Sequence, residues 1–315
     1  MRFNNIIKKM PNSLYIFLAT CIIFSFLESS FLSLINIGNL LLQSSVLITL
    51  SIGTTLIVIT GGLDLSVGSI LTFSGVVIGL LLSKGYFIYW AILLGLLASS
   101  ACGFISGILI TQLRVPPFIS TFAMMGIAQG LANKLSGRGV IHWGECFLID
   151  FIGKNTFLGL SIMFWIAIII FVVVLFFFEF SPMRPYIFAI GSNEEAARLS
   201  KIDIKKLKCG LYMFSGFLAG IGGLMMISRM NTAEPTAGVG LEFDAVVAIV
   251  LGGTPLSGGK GNLIGTLFGA ITIAMLKNGL SLFGLQTAWQ RVVIGIILVL
   301  SVLFNQIIMK KQLKA

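Results

Sequence analysis

Long apolar runs, each broken by glycine, proline or a few charges, recur along the whole chain. They cover residues 14–33, 39–60, 66–83, 87–112, 117–135, 160–178, 207–228, 241–253, 262–283 and 288–308. A helix rises about 1.5 Å per residue, so 18 to 20 apolar residues cross a hydrocarbon core of about 30 Å. The pattern predicts an all-α polytopic bundle of about ten spans, folded as one transmembrane domain over residues 1–315. The first run is too long for a removable signal peptide and lacks a small-residue cleavage site, so it is expected to stay as a helix. The eighth run is short, about 20 Å if helical, and ends near Pro255. It is expected to be a half-helix or a broken one.

Two connections exceed a turn. Residues 136–159 include Gly137, Gly139, Gly144 and Gly153, and residues 179–206 carry Glu179, Arg184, Glu194, Glu195, Arg198, Lys201 and Asp203. Neither is large enough for a soluble domain, so any ATPase or ligand-capturing domain is expected on a separate chain.

Composition agrees with the pattern. Of 315 residues, 57% are hydrophobic and 10% charged, with a mean hydropathy of +1.04. Soluble domains carry about 25% charge; a freely soluble globular fold and a disordered chain are both excluded. The net charge of +10 would suggest nucleic acid in a soluble protein, but cytoplasmic loops of membrane proteins carry excess Lys and Arg. With the N-terminus inside, the inner segments hold Arg2, Lys8, Lys9, Arg114, Arg184, Arg198, Lys201, Lys205, Lys206, Lys208, Lys260, Lys310, Lys311 and Lys314, which is 14 of the 21 basic residues. That bias predicts N-in, C-in topology and requires the eighth run to cross. One histidine, His142, and four cysteines without CxxC spacing leave no basis for a metal site, a His-based triad or a disulfide framework.

GxxxG pairs stand at Gly75/Gly79, Gly103/Gly107, Gly126/Gly130, Gly216/Gly220 and Gly261/Gly265/Gly269. Small residues four apart share a helix face and let backbones approach, so tight packing is the expectation. The segment Thr60–Ser69, TGGLDLSVGS, joins two runs and puts Asp64 beside membrane-embedded helices. A carboxylate at a span's centre costs about 2.5–3.5 kcal/mol, so it needs water, a helix N-terminus or a polar partner. Asp64 and Ser66 can cap the following helix or, with Gly61 and Gly62, gate a pathway. Gly61-Gly62-x-x-Leu65-Ser66-x-Gly68 matches Gly252-Gly253-x-x-Leu256-Ser257-x-Gly259, which suggests a weak internal repeat of the kind transporters contain and adds Gly252 and Gly253 to the gating candidates. Thr254–Gly261 is not a P-loop: Thr254 replaces the first glycine and Gly261 the hydroxyl.

In the inner loop, Asn193 can cap a short helix with Glu194 and Glu195 in its first turn, where the dipole favours anions. Ala196, Ala197 and Leu199 give it a small apolar surface. It is either a solvated connector or a knob for a partner's groove. Glu242 and Asp244 flank the outer end of the eighth run. They read as a solvated helix start, or as a contact for a polar ligand or a docking protein.

Together, TGGLDLSVGS (60–69), PFIST (117–121), GSNEEAARLS (191–200) and PTAGVGLEFDAVVAIVLGGTPLSGGKGNLIGTLFG (235–269) resemble the sugar-type permeases of bacterial ABC importers, the ribose permease group in particular. The resemblance runs from about residue 35 to 305. It implies a multi-pass subunit of the bacterial inner membrane that moves a monosaccharide, most simply ribose, without changing it. It also implies three partners besides membrane lipid: a cytoplasmic ATP-binding subunit, a periplasmic or lipid-anchored sugar-binding protein, and a second, identical or different, permease subunit. ATP and Mg²⁺ belong to the ATPase, so no cofactor is expected here, nor nucleic acid, nor enzymatic activity. The family's ATPase-coupling helix falls on Glu194, Glu195, Ala196, Ala197 and Arg198; for docking of the binding protein the candidates stay Glu242 and Asp244, from their place at the end of the eighth run. The family usually has glycine after the Leu-Ser, and this chain has Lys201. Autoinducer-2, another pentose or a hexose is the related alternative. An ion-coupled secondary transporter predicts paired carboxylates deep in the spans, where the sequence offers Asp64 alone. A membrane enzyme lacks the paired carboxylates, His cluster or nucleophile it would need.

Overall fold

The computed structural model describes residues 12–312; Arg2, Lys8, Lys9 and Lys314, counted above among the inner cations, lie outside them. Every one of the ten apolar runs contains a helix: α1 (Asn12–Leu27), α2 (Leu34–Ile59), α3 (Val67–Ser83), α4 (Ile88–Thr111), α5 (Pro117–Leu135), α7 (Ile162–Phe180), α10 (Ile204–Met230), α11 (Leu241–Leu251), α12 (Leu263–Leu282) and α13 (Thr287–Gln312). Five of them (α2, α4, α7, α10 and α12) are long and apolar enough to cross a membrane by length and composition. Local chemistry sets the ends. The Asn36 amide donates to the Ser33 hydroxyl at 3.3 Å, so α2 starts five residues before its apolar run. Proline opens α5, and left-handed glycines Gly61, Gly85 and Gly284 follow α2, α3 and α12.

The connections hold structure that apolar patterning could not reveal. The connection between α5 and α7 contains α6 (Phe147–Lys154) and a hairpin of β1 (Thr156–Phe157) and β2 (Leu160–Ser161). The inner loop contains α8 (Met183–Ser192) as well as the short α9 (Glu194–Leu199). The eighth run becomes an 11-residue helix, α11, about 16 Å long, so the half-helix reading holds.

The core forms around α2, buried at every residue from Ser44 to Ile59, and around α10. Glycines permit the close crossings. A Cβ at Gly103 would overlap the Tyr212 carbonyl, one at Gly216 the Ser99 carbonyl, and one at Gly223 the Leu71 carbonyl. On the other side of α2, Gly265 and Gly269 of α12 lie against the backbone of Gly252 and Ala248. Gly126 and Gly130 of α5 behave differently, since a Cβ at either meets nothing within 4 Å. Apolar side chains left on the outside, such as Leu93, Leu97 and Phe104 on α4 and Ile169, Val172 and Phe176 on α7, suit a lipid-facing belt.

Candidate functional site

The Thr60–Ser69 segment folds as a helix stop, an extended stretch and a helix start. Gly61, at φ +74°, takes the left-handed position that ends α2: its amide donates to Val58 O at 2.9 Å and the Gly62 amide to Ile57 O at 3.1 Å. This pair of bonds is a Schellman motif, which satisfies two of the helix's orphan carbonyls. Residues 62–66 then run without helix into α3. Leu63 and Leu65 pack on Val246 and Val250 of α11. Asp64 faces the other way, 1% exposed. It accepts from the Ser66 amide (2.9 Å) and hydroxyl (2.6 Å) and from the Ser215 hydroxyl of α10 (3.1 Å). Tyr212, one turn before Ser215, donates to Leu63 O at 3.3 Å. The expected capping is corrected in detail: Ser66 makes no side-chain cap bond to α3, because Asp64 holds its hydroxyl.

The Gly252–Gly253 turn uses the same motif. Gly253, at φ +84°, donates to Val250 O at 3.0 Å, and Thr254 to Ile249 O at 3.1 Å. Thr60-Gly61-Gly62 therefore corresponds to Gly252-Gly253-Thr254, one residue off the register that the sequence match suggests. Beyond the turn the two paths part: α3 begins at Val67, whereas Gly258 and Gly259 take left-handed φ before Asn262 caps α12, its side-chain oxygen accepting from the Ile264 amide at 2.9 Å. The shared Leu-Ser positions do not coincide. The turns nonetheless meet in space, with the Gly259 amide donating to Ile59 O at 2.9 Å.

The inner elbow builds on two caps. The Ala196 amide donates to the Asn193 side chain at 3.0 Å, starting α9 with Glu194 and Glu195 in its first turn. The Lys206 amide donates to Asp203 at 3.1 Å, starting α10. That bond, with the Lys206 ammonium at 3.0 Å, holds the Asp203 carboxyl below its ordinary value. Glu194 pairs with Lys208 of α10 at 2.5 Å, and Glu195 with Arg198 at 2.5 Å. Ala197 is buried, while Leu199 is 77% exposed. Lys201 sits at φ +60°, donating to Arg198 O at 3.1 Å while Ile202 donates to Ala197 O at 3.3 Å. The lysine thus occupies a backbone conformation made for glycine. Residues of this segment share a cavity of about 550 Å³ with the Gly61 turn: Glu194, Arg198, Asp203, Lys208, Arg114, Pro117 and Gly61 all line it.

Glu242 and Asp244 are not a solvated helix start. They are 4% and 5% exposed, enclosed by the chain itself. The Gly240 amide donates to the Glu242 carboxylate at 3.1 Å, which also lies where a Cβ of Gly68 would stand. Asp244 pairs with Lys277 of α12. Asp64 is therefore not the only deeply buried carboxylate. Sequence reasoning missed Lys277, Tyr212 and Ser215, all polar residues within apolar helices; that contrast was the available signal.

Comparison with known proteins settles what this arrangement belongs to. Residues 36–302 match the family described as branched-chain amino acid transport system / permease component. The chain is 36% identical to the ribose import permease protein RbsC of Bacillus subtilis, over 97% of this chain and 95% of that one. The chain belongs to the sugar-type permeases of ABC importers. Other relatives of the permease are RbsC of Escherichia coli, 35% identical over 95% of this chain and 94% of that one, and the L-arabinose ABC transporter permease protein AraH of Azospirillum brasilense, 35% identical over 76% and 70%. No solved structure matches the permease. A permease of this family is a multi-pass transport component rather than a catalytic subunit, and works with an ATPase and a substrate-binding protein.

Proposed function

We propose that this chain is the membrane-spanning subunit of a bacterial inner-membrane importer for ribose, powered by a cytoplasmic ATPase that grips the short helix α9 at Glu194, Glu195, Ala196 and Arg198, while the buried Ala197 anchors that helix to the rest of the chain. The observation that carries this is the shared cavity: the acidic-then-alanine elbow and the Gly61 turn before Asp64 border the same inner space. Movement of α9 reaches the gate without an intervening layer. The chain acts as one domain of ten crossings, with both termini inside, and pairs with a second permease subunit, identical or different. Asp64, Ser66, Gly61, Gly62, Gly252 and Gly253 form the gate, and sugar passes between the subunits. The binding protein delivers sugar from the outer side, and ATP and Mg²⁺ stay on the ATPase. Ribose is favoured by the ribose import permeases among the relatives; arabinose, a hexose and autoinducer-2 are the competitors.

The test is uptake by the assembled complex in vesicles, run against ribose, arabinose, fructose and autoinducer-2. ATP-dependent accumulation of ribose above the others is expected. Glu195→Lys should cut uptake at least tenfold while leaving the protein in the membrane. Accumulation by this chain alone, without nucleotide, would overturn the reading.

A further inference from the structure

We infer that Gly191 is a positioning residue that transmits the elbow's motion to both inner turns at once. The inference rests on the reading of α9 as the ATPase-coupling element. Gly191 is the penultimate residue of α8, and Asn193 alone separates α8 from α9. A Cβ on Gly191 would overlap the Ile59 carbonyl and stand 2.5 Å from the Gly259 amide nitrogen. That amide and that carbonyl are already bonded to each other at 2.9 Å. Around this point, a Cβ on Gly258 would lie 2.7 Å from the Gly61 nitrogen, and one on Gly259 would lie 3.0 Å from the Ser192 Cα.

Three segments therefore touch backbone on backbone: the end of α8, the Ile59–Gly61 turn and the Gly258–Gly259 turn. Side chains absorb small displacements by changing rotamer, and backbone atoms in van der Waals contact have no such freedom. A shift of α8 passes undiminished to the end of α2 and to the loop before α12. The first route leads through Gly62 to Asp64; the second leads through Asn262, which caps α12. One contact thus drives both the turn that ends α2 and the loop that precedes α12, and the absence of a side chain at 191 is what makes it stiff.

The experiment uses the chain assembled with its ATP-binding subunit and binding protein, in vesicles, measuring sugar accumulated per ATP hydrolysed. Gly191→Ala should lower that ratio at least fivefold, with the ATPase still bound and still hydrolysing. Gly210→Ala, whose Cβ meets nothing within 4 Å, should keep the wild-type ratio. A merely structural role would lower abundance and hydrolysis together and leave the ratio alone. Should Gly191→Ala fail to accumulate, Ser192→Thr adds one methyl group at an exposed residue beside Gly259 and should halve the ratio. A wild-type ratio in Gly191→Ala, or in Ser192→Thr where that variant decides, overturns the inference. Wild-type vesicles that take up sugar without ATP would instead sink the coupling reading on which it rests.

Discussion

Lys201 shows how much one residue's conformation can carry. Its φ of +60° is a left-handed position that costs an L-residue with a Cβ about 1–2 kcal/mol relative to glycine. The elbow bears that strain beside the surface proposed to meet the ATPase. Lys201→Gly should therefore steady the end of α9, slowing hydrogen exchange of the Ile202 amide about fivefold, equivalent to about 1 kcal/mol; unchanged or faster exchange would show that the backbone is not strained there. The sequence hinted at this, because the related pattern carries glycine at that place, but the sign of φ belongs to the folded chain alone. Asn193 was easier to read, since a side-chain oxygen can satisfy amides two or three residues ahead and that signal is local; Asp203 caps α10 in the same way but was read only as one of the loop's charges.

Among elements, the interrupted ones concentrate the polar chemistry. The extended stretch 62–66 runs beside α11, and the starts of α3 and α11 meet where Glu242 lies against Gly68. A carboxylate at two converging N-termini is favourably placed, since both present free amides and positive dipole ends. None of this could be read from hydropathy: the partner of Asp244 is Lys277, 33 residues on, and pairing across helices leaves no local mark. The same is true of Asn36 on α2 and Asn278 on α12, which exchange two amide bonds of 2.9 Å while Asn36 also donates to Phe31 O at 2.8 Å. Either Asn→Leu change alone strands a buried amide, a cost of about 1–3 kcal/mol. The double Asn36→Leu, Asn278→Leu protein should be less destabilised than the two singles combined, with a coupling of about 0.6–1.7 kcal/mol. Denaturant titration in detergent measures this, and strict additivity would mean that the two amides do not act as a pair.

For the whole molecule, contacts alone sort the connections into two sides. Gly61, Gly191 and Gly259 meet at one end of the bundle, while at the other Ile141 and Ala233 exchange backbone hydrogen bonds of 2.9 and 3.0 Å. The apolar runs announced each helix because a bilayer demands about 30 Å of nonpolar length, but α6 and the hairpin over residues 156–161, which follow no such demand, went unread. The critical passage is α11. Its 11 residues reach about 16 Å, roughly half the hydrocarbon core. The loop before it supplies the rest by dipping inward, for the Gly238 amide donates to the Thr72 hydroxyl at 2.9 Å. The polypeptide thus passes from the Ala233 end to the Gly259 end within residues 233–259, and the excess of Lys and Arg on the Gly259 side predicts that this side faces the cytoplasm. In a background with the four native cysteines replaced, Asn155→Cys and Gln286→Cys should react with a membrane-impermeant maleimide in intact spheroplasts. Ser200→Cys and Lys260→Cys should react only after permeabilisation. Labelling of Lys260→Cys from outside would mean that α11 returns to the side it came from, reversing α12 and α13 and separating the Gly258–Gly259 turn from the elbow it is packed against.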